Sequence, residues 1–298
     1  MKIKLFLLET RPQFLILSLV ISFLGISIAW HDGYLHWGHA ILSAFGLLLA
    51  HTSVNVLNDY FDFRSGIDLA TERTPFSGGS GMLPAGILKT KEVLWLGVGC
   101  FIAAMFIGIY FIIVTGWQLL PLLLVGGLCI LLYTSFILKT KWPEWSPGAG
   151  LGILPVIGTY FVQTGFYSWP MAVAAVPSAI LVHNLLFLNE FPDTEADLKA
   201  SRKTTPIVLG KNRASFIYAA TDVFMYVWII GSAVAGVMPL FTLLALLTAP
   251  LAIQAIRGAY NYSDKACLVN GMKNNVMVVL ATQFLLGLGF ILARLFNG

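Results

Sequence analysis

The sequence predicts an all-α integral membrane protein: nine transmembrane helices in a bundle, with the N-terminus and the active face on the cytoplasmic side. Three observations lead there. Of the 298 residues, 58% are hydrophobic and 11% charged, whereas about a quarter are charged in an ordinary soluble domain. Apolar runs near the length of a bilayer crossing recur along the whole chain, and the lysines and arginines sort into alternate connections between them. No polar stretch is long enough to fold apart from these runs, so residues 1–298 read as a single transmembrane domain.

A helix rising about 1.5 Å per residue needs roughly 20 residues to cross about 30 Å of hydrocarbon. Nine runs approach that length: Phe14 to Ala29, Ala40 to Leu57, Val93 to Thr115, Gln118 to Leu138, Gly148 to Gln163, Trp169 to Leu188, Phe216 to Val237, Leu240 to Ile256 and Asn275 to Leu295. The first follows Lys2, Lys4 and Arg11 in the manner of a signal peptide. No small-residue cleavage pattern closes it before His31, so it reads as a retained span. The fifth is the weakest free helix, because Gly148, Gly150, Gly152, Pro155 and Gly158 interrupt it; the same small residues favour close contact with neighbouring helices.

With nine crossings, every lysine and arginine except Arg294 falls at the N-terminus or in the connections after spans two, four, six and eight. The positive-inside rule makes that side cytoplasmic and leaves the turns near Gly116, Gly165 and Met238 outside. The net charge of +4 therefore records orientation and is no sign of a nucleic-acid partner. The setting is a multi-pass protein of the cell membrane, with the bilayer itself as a partner. Cys100, Cys129 and Cys267 are too dispersed for a disulfide framework or a thiolate metal site and read as packing residues.

The cytoplasmic side also carries most of the acids, and two stretches echo each other. Asn58-Asp59-Tyr60-Phe61-Asp62, with Asp68 beyond, follows span two; Asn189-Glu190-Phe191-Pro192-Asp193, with Asp197 beyond, follows span six. Both read Asn, acid, any, any, Asp. Each precedes a basic-Thr-Pro element, Arg73-Thr74-Pro75 and Lys203-Thr204-Thr205-Pro206, a pattern that looks like an internal duplication. Helical spacing puts Asn58 with Asp62, and Asp193 with Asp197, on one face. Oxygen ligands without thiolates or a histidine cluster suit magnesium, which binds through one or two carboxylates and completes its shell with water and phosphate. Helix capping accounts for single acids of this kind, and Glu9, Asp32, Glu144, Asp222 and Asp264 are read that way. It does not require two matching motifs on one side.

With these motifs in this setting, the chain resembles the UbiA family of intramembrane prenyltransferases along nearly its whole length. Within it, Tyr133-Thr134, the stretch from Gly158 to Gly165 and the stretch from Lys203 to Gly210 are similar to the branch acting on 1,4-dihydroxy-2-naphthoate in menaquinone synthesis. Ser201 stands where that branch commonly has Gly, and Ile207 follows a Pro. The resemblance implies an enzyme that moves a prenyl group from an isoprenyl diphosphate to an aromatic acceptor. A hydroxybenzoate, homogentisate, a chlorophyll precursor, haem or a glycerol lipid remain open as acceptors. It also implies two Mg2+ ions, held by Asn58, Asp59, Asp62 and Asp68 on one side and Asn189, Asp193 and Asp197 on the other.

Asn58, Asp62, Asp193 and Asp197 are accordingly the catalytic candidates. Arg11, Arg73, Lys139, Arg202 and Lys203 are candidates for the phosphate oxygens, since Arg offers a fork and Lys a point charge. Tyr133 and Tyr160 are candidates for facing an allylic cation. His51, His183 and Asn184 lie inside spans near the motifs, where either a helix-to-helix bond or acceptor binding explains them. The glycine run Phe76 to Gly81 reads as a phosphate-approaching loop or a lid. An ion-coupled transporter is the rival of another class; its acids belong near the midplane, not at helix ends on one face.

Overall fold

The computed structural model describes residues 2–71 and 73–297. Its helices are α1 (Lys2–Glu9), α2 (Pro12–His31), α3 (Trp37–Ser65), α4 (Ile67–Ala70), α5 (Thr90–Thr115), α6 (Leu120–Leu132), α7 (Trp145–Pro147), α8 (Leu154–Thr164), α9 (Trp169–Lys199), α10 (Thr205–Leu209), α11 (Lys211–Val234), α12 (Ala249–Tyr260) and α13 (Lys265–Asn297). There is no strand among the described residues.

The polar backbone explains this: in hydrocarbon every N–H and C=O must be paired within the segment, which a helix does and an open sheet does not. Seven helical stretches are long and apolar enough to cross a membrane: α2, α3, α5, α9, α11, the run Leu240–Tyr260 that ends in α12, and α13. The fourth and fifth expected crossings are shorter. Trp117–Leu132 is a single short apolar helix, and the glycine-rich fifth begins as a π-helical stretch, Gly148–Ile153, before continuing as α8.

That π-helical stretch is shaped by its neighbour. A Cβ on Gly152 would lie 2.8 Å from both the Ala179 Cα and the Ser178 carbonyl oxygen of α9, so only glycine permits the approach. Gly25 does the same for α2 against α8, where a Cβ would meet Thr159 Oγ1 and lie 2.7 Å from the Val156 carbonyl oxygen. Around these contacts Leu17, Ile21 and Leu24 of α2, Val156 of α8, Val182 of α9 and Val278 of α13 form the main core. Trp95, Phe106, Ile113 and Val234 are exposed on the outside of the bundle, as side chains that face lipid would be.

Two helix ends differ from expectation in a way that matters for the site. The second crossing was expected to stop at Leu57 and the sixth at Leu188, with the acidic motifs in loops. Instead α3 runs on to Ser65 and is stopped by Gly66, whose φ of 81° suits glycine, and α9 runs on to Lys199 through Pro192. Both motifs are therefore helical, and their i, i+4 pairs are held on a rigid backbone.

Candidate active site

The ends of α3 and α9 meet over one cavity. Asn58, Asp62, Asp68, Asn189, Asp193 and Asp197 all line its polar end, together with Arg11, Tyr133 and Arg202. Deeper, the wall becomes apolar, with Leu17, Leu47, Val54, Ile130, Leu185 and Val279. A charged mouth over an oily interior suits a ligand with an ionic head and a hydrocarbon tail.

The polar end is tied together by side chains. Asn58 Nδ2 donates to Asp62 Oδ2 at 3.1 Å and to Thr134 Oγ1 at 2.9 Å. Arg202 joins the two motifs: Nη1 donates to Asp197 Oδ1 at 2.9 Å, and Nη2 makes a short ion pair with Asp62 Oδ1. Burial alone would lower the pKa of Arg202, but the Asp62 and Asp197 carboxylates outweigh it and hold the guanidinium above its usual range. Asp68 is pushed up to about 8, first by burial and then by the negative charges of Asp62 and Asp59. A dication beside it would reverse that push.

The oxygen-only donor set fits magnesium. The Oδ1 atoms of Asn189 and Asp193 are buried with no hydrogen-bond partner among the described residues, as expected of atoms reserved for a ligand. Among the described residues no three His, Cys, Asp or Glu side chains cluster tightly enough to cage an ion unaided. That suits a metal that takes one or two carboxylates and fills its octahedron from water and substrate phosphate.

Several expected site residues lie elsewhere. Asp59 follows Asn58 on the helix and so points about 100° away from the Asn58–Asp62 face. It is buried against the glycine loop, where its Oδ2 accepts from Ser80 N at 2.7 Å. Arg73 is also taken up by that loop, donating to the carbonyls of Gly78 and Gly79 at 3.1 and 3.0 Å. Gly78, Gly79 and Gly81 have φ of 85°, 68° and 76°. Neither Asp59 nor Arg73 lines the cavity; both shape Ser77, Gly78 and Gly79, which do.

Lys139 is exposed at the end of a 3-10 turn whose Ile137 and Leu138 are buried. Lys203 is exposed and only its backbone N–H is engaged, to Leu138 O. Tyr160 is at the far end of the bundle, donating to Asp32 Oδ2 at 2.7 Å. It is too remote to face any chemistry here. His51 lines the cavity while its Nδ1 bonds Ser18 Oγ at 2.8 Å. His183 and Asn184 bond each other, and Asn184 also accepts from Thr221 Oγ1, in a network between helices.

Other residues in the site were not singled out from sequence. Glu190 lines the cavity and faces Glu144, which had been grouped with the isolated acids. Thr134, Ser77, Ser146 and Thr204 are also part of the site. The signal for Glu190 was present, since it fills the acid position of the repeated pattern.

Comparison with known proteins agrees with this geometry. The chain is 27% identical over 287 residues to a 1,4-dihydroxy-2-naphthoate octaprenyltransferase of Bacillus subtilis (strain 168), covering 95% of this chain and 91% of that protein. It is 30% identical to UbiA prenyltransferase domain-containing protein 1 of Xenopus tropicalis, covering 97% and 82% respectively. In fold it is similar to an apo UbiA homolog from Aeropyrum pernix K1, with a TM-score of 0.71 at 18% identity over 94% of this chain and 98% of the other. It is also similar to a UbiA homolog from Archaeoglobus fulgidus solved with GPP and Mg2+, with a TM-score of 0.61 at 13% identity over 96% and 99%. The model of the UbiA prenyltransferase family matches residues 18–276, most of the sequence, and with it the chain belongs to that family of membrane prenyltransferases.

Proposed function

We propose that this enzyme transfers the prenyl group of an isoprenyl diphosphate to 1,4-dihydroxy-2-naphthoate, a step of menaquinone synthesis. One observation carries the donor half: two acidic helix ends converge at the mouth of a cavity that turns apolar with depth. The acceptor is supported by the likeness to the Bacillus subtilis enzyme over 95% of the chain.

The residues divide the work as follows. Asn58, Asp62 and Asp68 would hold one Mg2+ ion, and Asn189, Asp193 and Asp197 a second. When bound, the ions supply Lewis-acid stabilisation of the departing diphosphate. Arg202 moves its fork from the carboxylates to phosphate oxygens, and Arg11 meets the diphosphate from the α1–α2 corner. The apolar depth holds the prenyl chain and keeps water from the allylic carbon once its bond to oxygen breaks. Tyr133 offers its ring to the developing cation. The electron-rich acceptor ring then bonds to the allylic carbon freed from diphosphate and regains aromaticity by releasing a proton, or carbon dioxide where the attacked carbon bears the carboxylate. The 1–298 chain acts as one domain, and sorting of lysine and arginine supports a cytoplasmic site.

The test is diphosphate release from geranylgeranyl diphosphate by the purified protein with dihydroxynaphthoate, with and without Mg2+. Release should require the metal and fall at least about a thousandfold in Asp62→Ala and Asp193→Ala. Activity that survives both substitutions would overturn the assignment.

A further inference from the structure

Beside the diphosphate end, one wall of the cavity carries a second set of polar groups that the donor chemistry does not use. Glu144, just before α7, backs this wall without lining the cavity, and Ser146 of α7, Glu190 of α9 and Thr204 of the turn before α10 line it. Their exposures are 1%, 1%, 8% and 1%. Even so, Ser146 Oγ and Thr204 Oγ1 have no hydrogen-bond partner among the described residues, and Glu144 Oε2 and Glu190 Oε2 have none beyond the contact of the two carboxyls with each other. Three of these atoms, on Ser146, Glu190 and Thr204, belong to residues lining one wall, which is unusual because each buried polar group left unmatched costs about 1–3 kcal/mol.

The wall is held in place. Glu144 Oε1 accepts from Thr205 N at 2.6 Å, which fixes its carboxyl beside Glu190. Ser146, Glu190 and Thr204 line the cavity together with Tyr133. Two facing carboxyls repel an anion and accept hydrogen bonds from donors; the two hydroxyls add groups that donate or accept. The ligand that matches this wall carries hydroxyl groups on a flat ring, with any carboxylate turned away from the acids.

We propose that Ser146, Glu190 and Thr204, with Glu144 behind Glu190, form a subsite for the hydroxyl groups of the aromatic acceptor. It selects phenols and diols and sets which ring carbon faces the prenyl chain. This assignment rests on the acceptor reading above. The acceptor's carboxylate then points toward the Arg202 side of the cavity, and the hydroxyl-bearing edge toward α7.

The test uses the full-length protein in lipid nanodiscs. Calorimetric binding of 1,4-dihydroxy-2-naphthoate is compared with that of its two mono-O-methyl ethers, and KM is measured separately for acceptor and for geranylgeranyl diphosphate. Methylation of a seated hydroxyl should weaken binding about tenfold or more in the wild type and much less in Glu190→Gln and Ser146→Ala. The acceptor KM should rise in both variants while the donor KM and the Mg2+ requirement hold. Ser146→Ala keeps the test alive if Glu190→Gln fails to fold. Ethers that bind as well as the diol, or a donor KM that rises in step with the acceptor KM, would overturn the subsite alone. A wild type that neither binds nor prenylates dihydroxynaphthoate would overturn the acceptor reading and this subsite with it.

Discussion

Among the described residues Arg202 is the one side chain that ion-pairs with both acidic motifs, and its removal should expose how far the site depends on a positive charge at its centre. Its side chain is 13% exposed, and its partners Asp62 and Asp197 are 12% and 4% exposed. Arg202→Ala would leave two buried carboxylates facing each other without a counter-charge. Breaking a buried pair by deleting one member costs about 3–5 kcal/mol. At about 2–4 °C per kcal/mol for a chain of this size, the lower figure predicts a fall of roughly 6–12 °C in unfolding temperature. The assay is thermal unfolding in detergent with EDTA and then with millimolar Mg2+. Because the dication takes over the charge that the guanidinium supplied, Mg2+ should restore much of the loss in Arg202→Ala. Arg202→Lys should recover less than wild-type stability, since a single ammonium cannot fork between two carboxylates. A variant that unfolds with the wild type in EDTA, or one that ignores Mg2+, would refute the account.

Three further outcomes follow from the same geometry. Gly25→Ala should destabilise the protein by about 1–3 kcal/mol or more, read as faster thermal inactivation, because the added Cβ meets Thr159 and the Val156 carbonyl. Glu9 is raised from an ordinary 4.5 to about 7, mainly by burial, with the charge of Asp59 adding to it. Its protonated form therefore favours the fold: that contribution is whole below about pH 4.5 and is lost as pH rises through 7, on the order of 3 kcal/mol. Unfolding followed from pH 5 to 8 should show this decline in the wild type and a flatter curve in Glu9→Gln. Lys139→Ala and Lys203→Ala should leave the donor KM unchanged, whereas Arg11→Ala, which removes a cation lining the cavity, should raise it about tenfold.

Most of the helical plan could be read from composition and run length, because the bilayer imposes a single backbone solution on apolar segments. Helix ends were harder. Hydropathy stops at Leu57 and Leu188, where polar residues begin, but backbone hydrogen bonding does not, and α3 and α9 carry on for two to three more turns. The i, i+4 pairs of the motifs survived that difference, since their spacing already suited a helix. Side-chain destinations did not follow from charge. Lys139, Lys203 and Arg73 had the right sign and lay near the motifs in sequence, yet the first two point to solvent and the third braces a glycine loop. Tyr160 was misplaced because distance along a crossing is invisible in a list of aromatics, and α8 carries it to Asp32.

The acid at the second position of each motif shows what the repeated pattern is for. Asp59 and Glu190 both follow an Asn and both sit a helical step off the face that carries the ligand pairs. Each is directed at the segment that leads out of the site. Asp59 takes Ser80 N and so holds the glycine loop that Arg73 also supports. Glu190 meets Glu144, whose other oxygen takes Thr205 N in the Lys-Thr-Thr-Pro stretch. Asp59 thus fastens its following loop directly, whereas Glu190 reaches the Thr205 stretch only by way of Glu144, and in both motifs the residues at positions one and five line the cavity. The likeness between the halves ends at size. Asp59 and Glu190 each keep one carboxyl oxygen without a hydrogen-bond partner among the described residues, but only Glu190, with its extra methylene, lines the cavity. That asymmetry puts only the α9 motif's second-position acid on the cavity wall, which is the side the proposed acceptor subsite uses.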